Sequence, residues 1–173
     1  LGRPTPTEMD AAEATSSRLH VAGENASILT MAASLCDHDA LDPNDIVAVI
    51  GNSMGWYTAL AVAGALPLES AFQLVETMGQ YQANNVVGGQ LLYPPVDEEW
   101  RSLPSPELAL ALSDTRELYH SIHLGGQAVI GGSTEAIGAL AKRLPPRKVG
   151  ARDAPMLLPL HSAFHTRLMR PTS

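Results

Sequence analysis

Cysteine is almost absent: Cys36 stands alone in 173 residues, so no disulfide can form within the chain, which suits a reducing compartment. Aromatic residues are scarce too, with two Trp, two Phe and four Tyr. No apolar run approaches the ~18–20 residues that span a bilayer. The opening Leu1-Gly2-Arg3-Pro4-Thr5-Pro6-Thr7 lacks the basic-then-apolar layout of a secretory signal. A cytoplasmic protein is the expectation. Bases are few and unevenly spread. Of eleven, seven fall in the last part of the chain: Lys142, Arg143, Arg147, Lys148, Arg152, Arg167 and Arg170. Only Asp153 opposes them, so this stretch carries +6 against -13 for residues 1–141, within a net charge of -7. Such an end either attracts phosphates or an acidic partner surface, or is simply a solvated helix and loops. It holds no Tyr or Trp to stack bases, which argues against nucleic acid.

What is present supports a folded α/β chain. Hydrophobic residues make up 45%, enough for a buried core, with Ala, Leu and Val foremost. The length holds one domain, or a core with a smaller subdomain inserted. Thr7-Glu8-Met9-Asp10 resembles a capping box for a short helix over Glu8–His20, and Ala26–Leu35 reads as a buried helix. After the turn Asp42-Pro43-Asn44-Asp45 comes Ile46-Val47-Ala48-Val49-Ile50, a mostly β-branched run that predicts a central parallel strand. Helices are expected over Met54–Leu66 and from Pro67 to about Ala83. From residue 84 the texture changes, with Asn84-Asn85, Gly88-Gly89 and Pro94-Pro95 as breaks. The expectations beyond are a helix near Asp97–Leu103, strands near Leu108–Leu112, Leu118–His123 and Gln127–Ile130, a helix over Ser133–Leu144, and a last strand at Met156–Leu160. Alternating short strands and helices over about 88–155 describe a small α+β unit of ferredoxin-like type.

Gly51-Asn52-Ser53-Met54-Gly55 fits G-x-S-x-G directly after the expected strand and before the expected helix. In that context the motif forces the serine into a strained turn, and the Met54 N–H can stabilise an oxyanion at the helix N-terminus. A serine nucleophile needs a base. His20 and His38 lie on polar stretches, and His120 and His123, three apart on a strand, should face opposite sides and make a poor metal pair. His161 and His165 have no Glu between them and follow Pro159, so a helical zinc site is not indicated.

Four segments resemble one family. Gly51–Leu60 is similar to the G-H-S-x-G-E-Y-x-A-L segment of malonyl-CoA:acyl-carrier-protein transacylases and polyketide-synthase acyltransferase domains. Ala63–Ala71 resembles their A-G-A-L-S-L-E-D-A stretch, Gly126–Gly132 their G-Q-V-V-I-A-G strand, and Ala163–Met169 their A-F-H-S-x-L-M segment. The matches run in order over about residues 24–171. The resemblance implies an α/β-hydrolase-like larger part at 1–87 carrying the nucleophile elbow, an inserted ferredoxin-like subdomain at 88–155, and a return to the larger part at 156–173. It implies Ser53 as nucleophile and His165 as base, taking an acyl group from coenzyme A to the phosphopantetheine thiol of an acyl carrier protein. No permanent cofactor or metal is expected; the coenzyme A thioester is a substrate. Asn52, Trp56, Met78 and Gln127 are the implied substrate-binding positions. A serine hydrolase or thioesterase would use the same pair, and a degenerate acyltransferase module would use neither.

The chain departs from the pattern in three places. Met78, in Leu74-Val75-Glu76-Thr77-Met78-Gly79, stands where the family's L-V-x-x-R-G places a carboxylate-binding arginine. A thioether cannot pair with malonyl's free carboxylate, so an uncharged acyl group suits it better, unless Arg116 or Arg152 takes that role. Asn52 and Trp56 replace the usual His and Glu; Trp56 either packs against the acyl chain or fills the core. The family's F-P-G-Q-G-S-Q loop has no counterpart here, so the expectation is a central portion of the fold: a fragment, an incomplete representation of a longer chain, or a chain that a partner complements.

Overall fold

The break at Asn84-Asn85 is where the fold divides. The structure, a computed structural model, describes residues 4–149 and 152–172. It forms two compact units, Leu1–Asn85 and Val86–Ser173. Residues 156–172, expected to rejoin the first part, thus lie in the second unit, where they add a strand to its sheet. No helix among the described residues is long and apolar enough to cross a membrane.

The first unit is helical among its described residues. Helix α1 spans Pro6–Asp10, α2 Gly23–Asp39, α3 Gly55–Val62 and α4 Leu68–Asn84. The capping box forms two residues earlier than expected: Thr5 Oγ1 accepts from the Glu8 N–H (3.2 Å) while the Glu8 carboxylate accepts from the Thr5 N–H (2.7 Å). Pro6 then takes the first helical position, where its missing N–H is no loss. Helix α1 stops at Asp10, and a π-helical turn, Ser17–Val21, replaces the rest of the expected helix. Met31, Ala71 and Val75 form the core, with Ile28, Leu35, Met54, Tyr57 and Phe72 packed around them.

The expected strand at 46–50 does not pair. Ile46 is extended (φ -88°, ψ 109°), but residues 46–50 join no sheet. Val47 is 98% and Ile50 89% exposed. β-branched composition favours extended backbone, yet a strand also needs a neighbour for its N–H and C=O groups. The described residues of this unit supply none.

The second unit is built on strand β1, Gly89–Tyr93. Helix α5 (Pro106–Asp114), β2 (Leu118–Leu124), β3 (Gln127–Gly132) and α6 (Thr134–Arg143) follow. Then come the short strands β4 (Arg147–Val149), β5 (Arg152–Ala154) and β6 (Met156–Leu158). The main sheet has the order β2-β3-β1-β6, every pair antiparallel; β4 and β5 form a separate ribbon. Leu91 and Tyr93 of β1 face one way, joining Ile130, Leu108, Ala111, Ile137 and Leu140 in the core. Gln90 and Leu92 alternate onto the other face.

Two expectations in this unit are corrected. Residues 108–112 are helical, not extended: Ser105-Pro106-Glu107 is a helix start, and Leu108 and Ala111 bury one face at a spacing of three. Residues 97–103 are a turn, not a helix. Asp97 Oδ1 accepts from the Glu99 and Arg101 N–H groups (3.1 and 2.9 Å), so the side chain takes the donors a helix would use. Trp100 closes this turn at φ 62°.

Core and surface apolar residues should therefore respond differently. Ile130→Ala is expected to destabilise the second unit by ~2–5 kcal/mol. Val47→Ala, at an almost fully exposed position, should stay within about 0.5 kcal/mol. Urea unfolding of both variants checks the contrast; equal losses would show that residues 46–50 are buried in solution.

Candidate active site

The turn carrying Ser53 is closed by hydrogen bonds from the Gly55 N–H to Asn52 O (2.8 Å) and from the Trp56 N–H to Ser53 O (3.0 Å). A side chain at Gly51 would collide with the Gly55 carbonyl and the Trp56 nitrogen, so only glycine allows the chain to double back this sharply. Ser53 sits at φ 52°, a left-handed conformation that a residue with a Cβ adopts at a cost of ~1–3 kcal/mol. Met54 is the N-cap of α3, so its N–H is among the donors that the helix leaves unmatched. Its side chain points the other way, into the first unit's core, where the sulfur accepts from Thr58 Oγ1 (3.8 Å).

Three more of the expected site residues share this unit. Asn52 and Trp56 flank the serine and are exposed, Trp56 to 61%. That removes core filling as the role of Trp56. Met78 is half-buried on α4.

The remaining two lie in the second unit. Gln127, half-buried at the start of β3, lines a groove of about 340 Å³ with Pro94, Val96, Trp100 and Lys148. His165 is exposed and, like Ser53, holds a positive φ, 57°. Its segment is fastened to the stretch just before β1 and to itself. The Ala163 N–H donates to Val87 O (2.7 Å), the Val87 N–H to Ser162 Oγ (3.1 Å), and Thr166 Oγ1 to Ala163 O (2.6 Å). Gly131 of β3 leaves the room: a Cβ there would come within 2.7 Å of Thr166 Cγ2.

Sequence reasoning passed over Gln90 as a site residue. Only 3% exposed, it accepts from His161 Nδ1 (2.9 Å) and donates to Ser121 Oγ (2.7 Å) and Phe164 O (3.4 Å). A lone polar residue within a buried apolar strand was the available signal. The His120–His123 reading is also corrected. The register slips between His120 and Ile122, so Ser121 is an extra residue, and both imidazoles fall on one side with ring centroids 4.7 Å apart. Burial, then the charge of His123, lowers the His120 pKa. Among the described residues, no group of three or more His, Cys, Asp or Glu is placed to hold a metal.

The basic stretch is partly engaged within the fold. The Arg147 guanidinium donates to Pro94 O and Pro104 O (both 2.8 Å) and lies over the Tyr93 ring, 4.8 Å from its centroid. Lys148 pairs with Asp153 at 2.7 Å. The Arg152 side chain, one alternative to Met78, lies outside the described residues.

The fold is mixed α/β, with a glycine-closed serine turn in one unit and a histidine-bearing turn seated on a sheet in the other. No family model matches the chain. It is 32% identical over 123 residues to the polyketide biosynthesis protein ThaF of Burkholderia thailandensis, covering 70% of this chain and 10% of that protein. The malonyl-CoA:ACP transacylase of Synechocystis sp. PCC 6803 superposes with a TM-score of 0.68 at 22% identity, over 92% of this chain and 50% of its own. PlMCAT, a malonyl-transacylase solved in complex with its type II polyketide-synthase acyl-carrier protein, gives 0.65 at 19% identity, over 95% and 53%. The chain belongs to the family of malonyl-CoA:acyl-carrier-protein transacylases and polyketide-synthase acyltransferase domains. It spans about half the length of those solved relatives.

One titration tests the local environment of His161. Burial lowers its pKa from 6.5, although the residue as a whole is exposed. The folded chain therefore resists protonation there, while the unfolded chain protonates near the ordinary value. Its contribution to stability is complete above pH 6.5 and is lost as the pH falls. An NMR titration of the His161 imidazole should show a midpoint below 6.5; one above it would contradict the enclosed environment.

Proposed function

We propose that this chain carries the Ser53 nucleophile and the His165 base of an acyltransferase that moves an acyl group from coenzyme A to an acyl carrier protein, in fatty acid or polyketide synthesis. The observation that carries the reading is backbone strain at both residues. Among described non-glycine residues only Ser53, Trp100, Leu160 and His165 have positive φ, and two of the four are the residues the chemistry needs. Strain of this kind persists where the surrounding structure over-determines a geometry, as at nucleophile elbows.

In the first step His165 takes the Ser53 proton as Oγ attacks the thioester carbonyl. The Met54 N–H stabilises the oxyanion, and collapse of the tetrahedral intermediate expels the coenzyme A thiolate, which recovers the proton from His165. In the second step the carrier's thiol attacks the acyl-serine, giving its proton to His165, which returns it to Ser53. The carrier is a partner by analogy with the complexed relative of the same fold. The exposed Lys142, Arg143 and Arg167 are the bases we assign to an acidic carrier surface; Arg147 is engaged within the fold. Asn52 and Trp56 flank the acyl group, and Gln127 is a further substrate-binding position. The strand and helix order of that unit, with sheet order β2-β3-β1-β6, supports its reading as the ferredoxin-like subdomain.

Met78 sets the acyl preference. A half-buried thioether offers no charge to a malonyl carboxylate, whose burial without a partner is unfavourable. Uncharged acyl groups are the preferred cargo.

Labelling decides the reading. The chain incubated with radiolabelled acetyl-, malonyl- and longer acyl-CoA should gain label that Ser53→Ala abolishes and His165→Ala slows by ~10³-fold or more. No label with any donor sinks the proposal. Label lost to water faster than to an added pantetheine thiol would mark a thioesterase instead. Met78→Arg is expected to raise the malonyl-to-acetyl ratio about tenfold, a charge-assisted pair being worth ~1.5–3 kcal/mol. An unchanged ratio removes Met78 from the site.

A further inference from the structure

We propose that Gln90, Ser121 and His161 are positioning residues that hold the His165 peptide through the Phe164 carbonyl. The inference rests on the reading of His165 as base.

Gln90 is the second residue of β1, which is bonded to β3 on one side (Gln90 opposite Gly131) and to β6 on the other (Gln90 opposite Leu158). An uncharged amide enclosed there needs partners for both its ends. Those it has form a one-way relay of donors. His161 Nδ1 faces Gln90 Oε1 at 2.9 Å; Gln90 Nε2 donates to Ser121 Oγ at 2.7 Å; Ser121 Oγ donates to Phe164 O at 2.8 Å. The Gln90 amide also donates to Phe164 O directly, at 3.4 Å. The Phe164 carbonyl thus receives two donors, and it belongs to the peptide that leads into His165.

The relay has one direction. If the amide were reversed, its oxygen would face the Phe164 oxygen with no hydrogen between them. Ser121 has one hydroxyl hydrogen and could not serve both. Gln90 Oε1 therefore points to His161, and Nδ1 of that ring must carry the proton, which assigns the tautomer.

Ser121 reaches Phe164 because it is the extra residue of the β2 bulge. Its neighbours His120 and Ile122 pair with Ile130 and Val129, leaving Ser121 outside the ladder. Bulges re-aim side chains in this way beside functional sites. Three features then converge on one turn: a polar residue within an apolar strand, a bulge in the next but one strand, and a left-handed backbone at His165. Satisfying Gln90 alone would not require the last two.

The test compares the full chain with Ser121→Ala, Ser121→Thr and Gln90→Met. The readouts are the rate of Ser53 acylation by saturating acetyl-CoA, the half-saturating concentration, and imidazole 15N and His165 backbone shifts by NMR. Ser121→Ala and Gln90→Met should slow acylation by ~10–100-fold, the range a small misplacement of a catalytic group produces. Half-saturation should stay within about twofold, because the loss lies in the reaction step. Ser121→Thr, which keeps the hydroxyl, should restore the rate. His161 should be the Nδ1–H tautomer in the parent chain and lose that bias in Gln90→Met.

Acylation by Ser121→Ala at the parent rate overturns the proposal, as does an Nε2–H tautomer at His161. If His165→Ala acylates as fast as the parent, or the parent does not acylate, the reading of His165 fails separately. Positioning is then judged by NMR alone: unchanged His165 backbone shifts in Ser121→Ala overturn it, and shifted ones uphold it. Ser121 is only half-buried, so its alanine variant keeps the test open should Gln90→Met fail to fold.

Discussion

The two-residue alternation along β1 is the constraint on which the second unit depends. With β3 on one side and β6 on the other, every side chain of this strand is committed to one face or the other. Leu91 and Tyr93 close the core beneath α5 and α6. Gln90 is directed to the opposite face, where the segment from His161 to Thr166 is seated. Sliding the register by one residue would exchange the two sets, placing an amide in the apolar core and a leucine against the histidine turn. The core and the histidine turn thus lie on the two faces of one strand.

The first unit meets a different constraint. Its helices are satisfied internally, since a helix pairs its own backbone groups, and Met31, Ala71 and Val75 give them a core. An isolated strand has no such recourse. The stretch before the serine turn remains extended and exposed, with Val47 and Ile50 open to solvent. The turn itself survives because it is held locally, by the Gly55 and Trp56 N–H groups and by the close approach that Gly51 permits. In the proposed chemistry, the nucleophile's geometry is a property of six residues, 51–56, while that of the base is a property of a whole sheet.

Much of the fold was legible where a local rule is decisive. Ser133 accepting from the Ala136 N–H starts α6, much as its Ser-Thr-Glu opening promised. The misses each have a non-local or competing cause. Asp97 drew its neighbours' N–H groups into a turn where helix was expected. Leu108–Leu112 was expected as a strand, but Pro106 at the helix start and burial at Leu108 and Ala111 made it helical. His120 and His123 were assigned opposite faces by simple parity, which the Ser121 bulge reverses. A bulge is set by how two strands meet, and one strand's residues do not announce it.

Spacing and residue type by themselves determined the serine turn and its flanking glycines, since steric demand there is confined to residues 51–56. The segment around His165 was marked only by its likeness to one family. Only the tertiary structure decided that Gln90, Ser121 and His161 share a hydrogen-bond relay beneath that segment. The contacts link residues 31 to 74 positions apart, and a buried amide finds its partners only after the strands have paired. The fate of Ile46–Ile50 was likewise tertiary: composition favours an extended backbone, but a ladder takes two strands.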